Sequence, residues 1–279
     1  MTEILDGKKP AKEIKNWIRN QVEATGIVPK LAVILVGNND ASERYVSHKN
    51  KDCEECGIIC ETYRLSKDCK EVDLINLINS LNINANIHGI IVQLPLPDRF
   101  NTNKIMELIH PDKDVDCFNP INIGRLSIGT GRFIPCTPYG ILELFRYYNI
   151  ELSGKNVVMV GRSNIVGKPM ATVLTQHNAT VTLCHSKTRN LDYITRKADI
   201  VISAVGKPNF ITGDMIRSGA IVVDVGINVN AQHKLCGDID FEDIKDKVSY
   251  ITPVPGGVGV MTRAMLMMNV WIAASNLIY

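Results

Sequence analysis

The chain has 279 residues, of which 45% are hydrophobic and 22% charged, and its formal net charge is +2. This length favours about two domains, and so small a charge argues against partners such as nucleic acid or a membrane surface. No apolar run approaches the ~20 residues of a membrane span. The polar N-terminus lacks a signal-peptide core and the eight cysteines are scattered, so we expect a cytoplasmic protein with reduced thiols.

The first part of the chain alternates apolar runs with segments of helical periodicity. Residues 31–37 (LAVILVG) predict a buried strand, and the next helix is expected to have Asp40 as its N-cap, with Glu43 completing a capping box, and to end at Gly57. Further strands are predicted at 58–65 and 89–93, and further helices at 71–81 and 102–109. Such alternation indicates a parallel sheet in an α/β fold. No glycine-rich phosphate turn occurs here, so we expect this half to bind substrate.

Cys53 and Cys56 form a C-x-x-C pair inside the first of these helices. Neither a second pair of this kind nor a histidine pair at zinc-like spacing accompanies it. We therefore predict no metal site and no redox role.

The second part of the chain predicts another α/β domain. Residues 118–136, rich in Asn, Gly and Pro, are expected to connect the two domains, and Thr137-Pro138 is typical of a helix start with a hydroxyl N-cap. After a loop at 251–259, a final amphipathic helix is predicted at 262–277. The remaining apolar runs predict strands near Val157, Val181, Ile200 and Ile221.

Residues 156–169 (NVVMVGRSNIVGKP) contain the strongest single signal. A valine-rich run ends at Gly161, and a polar turn leads to Gly167 and a helical segment. A strand, glycine turn and helix in this order present backbone N–H groups to a phosphate. The spacing departs from G-x-G-x-x-G, because Ser163 takes the place of the second glycine and Gly167 comes one residue late. On this run alone, an ordinary strand-to-helix turn stays open as the alternative.

The residues after the next predicted strand favour NADP over NAD. In NAD-binding folds an acidic residue ~20 positions past the glycine turn binds the ribose hydroxyl. No acidic residue lies between Gly161 and Asp192. His185, Ser186 and a basic run stand there instead, and Arg162 adds a guanidinium whose planar fork suits a 2′-phosphate.

Four short runs outside this turn are weak signals when taken singly. Tyr45 and Lys49 lie four residues apart on one predicted helix face, which is more often a solvated surface. The other runs are VQLPLP at 92–97, a charged loop at 111–116 and the proline- and glycine-rich PVPGGVG at 253–259.

Together and in this order, the runs resemble the bifunctional methylenetetrahydrofolate dehydrogenase/methenyltetrahydrofolate cyclohydrolase family. The resemblance covers nearly the whole chain and rests on YVSHK, VQLPLP, HPDKDVD, PCTP, GRSNIVGKP, CHSKT, AVGKP, VDVGIN and ITPVPGGVG. Two positions depart from the family pattern. Cys117 stands where Gly is more frequent, which is expected to shift the Asp116 loop slightly, and Val260 replaces a common Pro, which is expected to loosen the start of the last helix.

The resemblance implies two α/β domains flanking a cleft, the second a Rossmann-like NADP-binding domain with a parallel sheet. The expected boundaries are a folate-binding domain at 1–118, completed by a C-terminal helix at 262–279, and a nucleotide domain at 137–260. It also implies a homodimer.

The implied activity is oxidation of 5,10-methylenetetrahydrofolate with NADP, followed by hydration of the methenyl product to 10-formyltetrahydrofolate. Lys49 is the implied acid–base residue, oriented by Tyr45 and Gln93, and Asp116 is implied to bind the pterin ring. An ordinary lysine pKa of ~10.4 would have to fall for Lys49 to act as a base at neutral pH.

The resemblance also assigns binding residues. The implied folate-binding residues are Tyr45, Lys49, Val92, Gln93, Leu94, Asp116, Pro253, Val254, Pro255, Gly256 and Gly257. The implied cofactor-binding residues are Gly161, Arg162, Ser163, Ile165, His185, Ser186 and Ile227. The alternatives are a dehydrogenase without the hydration step and a non-catalytic NADP- or folate-binding protein. Retention of Tyr45, Lys49, Gln93 and Asp116 argues against both.

Overall fold

The computed structural model describes residues 1–230 and 233–275, apart from the side chains at positions 40 and 41. The chain divides into two compact units. The three-stranded unit contains Lys12–Cys136 and the residues from Arg263 to the end of the described chain, and the six-stranded unit contains Met1–Ala11 and Thr137–Thr262.

The three-stranded unit is built on a parallel sheet. Its central strand β2 (Lys30–Val36) lies between β3 (Ile59–Leu65) and β4 (Gly89–Val92). Every residue of β2 after Lys30 is buried, as expected of a strand covered on both faces. The helices of this unit are most of α1 (Lys8–Thr25), α2 (Asp40–Cys56), α3 (Glu71–Ile83), α4 (Thr102–Leu108), α5 (Pro120–Ser127) and the larger part of α10 (Val258–Ser275).

The six-stranded unit also has a parallel sheet, in the order β1-β11-β8-β7-β5-β6. Its middle strands β5 to β8 form a doubly wound arrangement. After β6 is added on one side of β5, the next strands, β7 and β8, are added on the other side, so the switch point lies between β5 and β7. The strands are β1 (Glu3–Ile4), β5 (Asn156–Val160), β6 (Thr180–Cys184), β7 (Ile200–Ser203), β8 (Ile221–Asp224) and β11 (Tyr250–Ile251). The helices are α6 (Cys136–Tyr147), α7 (Gly167–Gln176), α8 (Leu191–Thr195) and α9 (Phe241–Ile244), and β9 (Asn228–Val229) and β10 (Leu235–Cys236) form an antiparallel pair.

The unit boundaries differ from the expected domain boundaries at both ends of the first domain. Met1–Ala11 belong to the six-stranded unit because β1 pairs with β11. The segment 118–136, expected to be a connection, contains α5 and is part of the three-stranded unit. Asn119 caps α5 with its side chain, and Pro120 occupies the first helical turn, so the same Asn and Pro content serves a helix start.

Two predicted helix starts are wrong by a residue or more. Asn39, not Asp40, is the N-cap of α2, and its side-chain oxygen accepts a hydrogen bond from Ser42 N at 3.1 Å. Gly57 does end this helix, in the left-handed conformation. Helix α6 begins at Cys136, which places Thr137 inside the first turn rather than at the cap.

Helix α10 begins earlier than predicted and is buried over most of its surface, so it is not amphipathic. Buried residues on all sides include Met261, Ala264, Met267, Val270 and Trp271. Over Val258–Ser275 the helix is long and apolar enough to cross a membrane. No apolar run of that length was predicted from the sequence. Arg263 and Asn269, however, bind groups of the three-stranded unit, as in the core helix of a soluble protein. The predicted end at Leu277 lies outside the described residues.

Candidate active site

A lysine and a glutamine from neighbouring elements meet in the three-stranded unit. Lys49 lies on α2 and its Nζ donates a hydrogen bond to Gln93 Oε1 at 3.0 Å. Gln93 follows β4, is 9% exposed, and donates from Nε2 to Leu94 O at 2.8 Å. Because the amide nitrogen is used by a carbonyl, the amide oxygen must face the lysine. The ammonium group is therefore held at a fixed point beside the carboxyl end of the sheet.

Asp116 lies in a loop that is stabilised by hydrogen bonds to the buried carboxylate of Asp114. Asp114 is 1% exposed, and its carboxylate accepts hydrogen bonds from Phe118 N at 3.1 Å, Asn119 N at 2.8 Å and Asn122 Nδ2 at 2.9 Å. Burial raises the pKa of Asp114, while these three donors act in the opposite direction. Asp116 itself is only partly buried, so its carboxylate can reach a ligand.

The Cys136 thiol contacts the Asp116 loop. Its Sγ is 3.7 Å from Asp116 Oδ1 and 3.5 Å from Val115 O. Burial raises the pKa of Cys136 strongly; Asp116 raises it further, and Lys49 lowers it. Cys136 Sγ thus contacts both the Asp116 carboxylate and the backbone carbonyl that precedes it.

Cys117 adopts a backbone conformation that favours glycine. Its φ is 61°, and its thiol is buried and 3.4 Å from Phe133 O. The glycine expected at this position is explained by that φ, because a residue without Cβ adopts it without strain. Val260, the other departure, lies inside the first turn of α10.

The remaining implied folate residues divide between the two units. Tyr45 lies one turn before Lys49 on α2 and is 43% exposed, and Val92 and Leu94 flank Gln93. The loop that contains Pro253, Val254, Pro255, Gly256 and Gly257 belongs to the six-stranded unit, where Gly257 N donates to Pro253 O at 2.9 Å. A cavity of about 330 Å³ in this unit is lined by Pro253 and Val254, together with residues of β10 and α9.

The glycine turn after β5 brings three pieces of backbone unusually close together. Gly161 has a φ of 123°, and a Cβ there would lie 2.4 Å from Ala204 O, at the end of β7. A Cβ on Gly167 would lie 2.0 Å from Gly161 O. Ser163 Oγ accepts hydrogen bonds from Val166 N at 3.1 Å and Gly167 N at 3.3 Å. Ser163 thus binds the N-cap residue Val166 and the first residue of α7. This is the switch point where doubly wound sheets bind nucleotides.

The other implied cofactor residues follow strands of the same sheet. Val160 and Cys184 are register partners, so the turn with Arg162 and the turn with His185 and Ser186 leave adjacent strands at one edge. Arg162, Ile165 and Ser186 are exposed, and Ile227, after β8, is 56% exposed. His185 Nδ1 accepts a hydrogen bond from Lys187 N at 3.1 Å, so Nε2 is the nitrogen through which a neutral ring can donate. Glycine backbone, basic side chains and the lack of an acid together fit a phosphorylated dinucleotide.

Asp238 was not predicted from the sequence. Its buried carboxylate binds backbone groups of the loops at the same edge of the six-stranded sheet. Asp238 is fully buried and accepts hydrogen bonds from Val205 N at 2.6 Å, Lys207 N at 2.9 Å and Asn228 Nδ2 at 2.9 Å. It joins the loop after β7 to the strand that follows Ile227. An acidic residue in a polar stretch gives no sequence signal for such a role, because only the tertiary structure surrounds it with donors.

The cysteines of the C-x-x-C pair are both buried in the three-stranded unit. Burial raises the pKa of Cys56 to about 12. A hydrogen bond with Cys60, together with burial, raises the pKa of Cys53. Within the described ranges, no group of three or more His, Cys, Asp and Glu side chains could hold a metal ion.

Two family models match this chain. The catalytic-domain model of tetrahydrofolate dehydrogenase/cyclohydrolase matches residues 5–116, and the NAD(P)-binding-domain model matches residues 135–277. The chain belongs to this family. The prediction of the family and of a two-domain α/β enzyme is therefore confirmed.

Relatives agree over the full length. The bifunctional protein FolD of Campylobacter hominis is 53% identical over 277 residues, which is 98% of each chain. The crystal structure of the bifunctional FolD enzyme of Campylobacter jejuni superposes with a TM-score of 0.96 at 49% identity, covering 99% of each chain. The Trypanosoma brucei enzyme, solved in complex with NADP cofactor and an inhibitor, gives a TM-score of 0.93 at 35% identity, covering 99% of this chain and 98% of that one.

Proposed function

We propose that this protein oxidises 5,10-methylenetetrahydrofolate with NADP and hydrolyses the methenyl product to 10-formyltetrahydrofolate, both at one folate site. The observation that carries the proposal is the Lys49–Gln93 hydrogen bond at 3.0 Å, in the same unit as the partly buried carboxylate of Asp116. A positioned amine and a reachable carboxylate are what proton transfer and ring recognition require. One spectrophotometric assay with methylenetetrahydrofolate and NADP tests it, by following NADPH and the methenyl absorbance separately.

Lys49 is the proposed proton-transfer group of the hydration step. Water must add to the methenyl carbon and lose a proton, and a folate nitrogen must gain one as the ring opens. Gln93 fixes the lysine nitrogen through its amide oxygen and is itself fixed by Leu94 O. A fixed amine needs no reorganisation when the proton moves, and such positioned groups contribute roughly 10²- to 10⁴-fold.

Asp116 is proposed to bind the pterin edge through its carboxylate. An ionised carboxylate only accepts hydrogen bonds, so it pairs with ring N–H groups and disfavours an edge that presents acceptors. Tyr45, Val92 and Leu94 are proposed to contact the folate on the same unit. Pro253, Val254, Pro255, Gly256 and Gly257 stay a prediction as folate-binding residues of the six-stranded unit.

NADP is the proposed cofactor, and when bound it accepts the hydride from the folate carbon. Gly161, Ser163 and Ile165 are proposed to hold its diphosphate through the turn and the α7 N-terminus. Arg162 and Ser186 would hold the 2′-phosphate, and His185 and Ile227 would contact the cofactor beside them. A dehydrogenase without hydration, or a non-catalytic binding protein, has no support from the geometry, since the Lys49–Gln93 pair is intact.

Replacing Arg162 should change cofactor preference. Arg162→Ala removes a charge-assisted contact to the 2′-phosphate, so we expect NADP affinity to fall roughly 10- to 150-fold, equivalent to about 1.5–3 kcal/mol, and NAD affinity to change little. Titration calorimetry with both cofactors measures this. Arg196→Ala is the control, because Arg196 is ion-paired with Asp192 on α8 and its loss removes the same charge. Equal losses for NADP and NAD in Arg162→Ala would place the phosphate elsewhere.

Replacing Asp116 should weaken both reactions together. Asp116→Asn keeps the shape but turns an N–H₂ group toward the ring donors, so we expect kcat/KM for the folate to fall roughly 10- to 100-fold in each reaction. NADP affinity without folate should remain that of the parent protein. Asp112→Asn is the control, since Asp112 lies in the same loop and is exposed. Intact reactions in Asp116→Asn, or a direct loss of NADP binding, would move the folate away from this loop.

A homodimer in the cytoplasm, without nucleic acid or membrane partners, completes the proposal. Exposed Val229 and Leu235 on the β9–β10 pair support a protein contact, and the net charge of +2 is too small to support binding to nucleic acid. Sedimentation equilibrium of the purified protein tests the dimer, and a monomer at micromolar concentration would contradict it.

A further inference from the structure

A single amide is buried in the middle of the apolar helix α10. Asn269 is fully buried, with Val270 and Met267 as buried neighbours on the helix. A buried amide is costly unless it is hydrogen-bonded. Its Nδ2 donates to Val115 O at 2.8 Å and to Ile134 O at 2.9 Å, and it lies 3.7 Å from Cys136 Sγ.

The two carbonyl groups that Asn269 binds flank the proposed substrate site. Val115 O belongs to the peptide that leads directly into Asp116, so fixing that carbonyl fixes the plane from which the Asp116 side chain projects. Ile134 O lies two residues before Cys136, whose thiol contacts both Val115 O and Asp116 Oδ1. One side chain thus connects three segments of the chain: helix α10, the Asp116 loop and the residues before α6.

The orientation of this amide follows from its partners. Both acceptors are carbonyl oxygens, and only the N–H₂ group can donate to them. The Oδ1 atom has no hydrogen-bond partner among the described residues. Asn269 therefore acts as a donor to two carbonyls at once, a task that no apolar residue and no single hydroxyl can perform.

The loop has a second, separate support. Asp114 binds its far side through Phe118 N, Asn119 N and Asn122 Nδ2. These contacts hold the residues after Asp116, whereas Asn269 holds the peptide before it. Loss of Asn269 should therefore leave the loop folded, with the weak Cys136 thiol donor still on the Val115 carbonyl.

We propose that Asn269 is a positioning residue for Asp116, setting the direction of its carboxylate toward the folate through the Val115 carbonyl. This inference rests on the proposed function, in which Asp116 binds the pterin ring. It assigns to the last helix a part in substrate recognition in addition to packing.

The test is a double-mutant cycle with Asp116→Asn. Asn269→Leu keeps the volume but removes both donors, and we expect kcat/KM for the folate to fall roughly 10- to 100-fold in both reactions, mainly through KM, with NADP affinity unchanged. In the Asp116→Asn background the same substitution should change kcat/KM less than about threefold. Asn269 acts through the Asp116 carboxylate, and that carboxylate has already been removed. Where Asn269→Leu does not fold, Asn269→Ser, which can serve only one carbonyl, is measured in the same cycle.

Arg132→Met provides a matched control for helix stability. Arg132 Nη2 donates to Ile272 O at 2.7 Å and Ala273 O at 3.2 Å, so it binds the last turn of the same helix, whereas Asn269 binds from its middle. Equal effects of the Asn269 variant in both backgrounds, or the same folate defect in Arg132→Met, would overturn the positioning role. An Asp116→Asn variant with normal activity would instead overturn the proposed function, so the two failures are distinguishable.

Discussion

Lys49→Gln should abolish the hydration step far more completely than hydride transfer. Glutamine keeps much of the length and can still hydrogen-bond to Gln93, but it has no amine to carry a proton. Since a positioned acid–base group contributes roughly 10²- to 10⁴-fold, we expect cyclohydrolase kcat to fall by at least about 100-fold. Hydride transfer draws its chemistry from the bound cofactor, so the dehydrogenase should lose less than about tenfold.

The two activities are measured separately in one preparation. Methenyl hydrolysis is followed by loss of its absorbance without NADP, and oxidation by NADPH formation. Lys51→Gln is the control, because Lys51 is exposed and two residues further along α2, so it cannot share the face of Lys49. Cyclohydrolase activity that survives in Lys49→Gln would remove this residue from the mechanism. Loss of both activities to the same extent would make it a binding group only.

The sequence predicted the long elements of the fold because their signals are local. The apolar run of β2 and the apolar spacing of α3 are read from neighbouring residues, and the structure places both elements within two residues of the expected bounds. The pairs β1–β11 and β9–β10 could not be predicted in this way. Each of these strands has only two residues, too few for a periodic signal, and β1 pairs with a strand near the other end of the chain.

The residues of the candidate site also fall into those that a local sequence run predicts and those whose role depends on tertiary contacts. Runs such as YVSHK and GRSNIVGKP carry their residues in a fixed order, so a family resemblance finds them directly. Asn269, Asp238 and Asp114 are single polar residues whose roles depend on backbone groups far away or folded around them. Asn269 did leave one signal, an amide inside an otherwise apolar helix, which marks a buried donor with a defined partner.

Gly167→Ala should disrupt the nucleotide turn. The added Cβ would lie 2.0 Å from Gly161 O, 2.6 Å from Gly161 C and 2.8 Å from Arg162 Cα. All three atoms belong to the backbone, so no side-chain rotation can relieve the contact, and the start of α7 must move away from β5. We expect the free energy of unfolding to fall by about 3 kcal/mol or more.

The same displacement should remove NADP binding from the folded protein. The N–H groups at the start of α7 would no longer converge with the turn that carries Arg162, so at least two charge-assisted hydrogen bonds would be lost, and affinity should fall roughly 100-fold or more. Urea unfolding and titration calorimetry measure the two effects. Gly124→Ala is the control, because Gly124 lies in helix α5 with nothing within 4 Å of an added Cβ, and alanine there should stabilise by about 0.5–1 kcal/mol. If Gly167→Ala kept the stability and NADP affinity of the parent protein, a close approach of α7 to Gly161 would not be required for folding or binding. The turn would then not be the phosphate site.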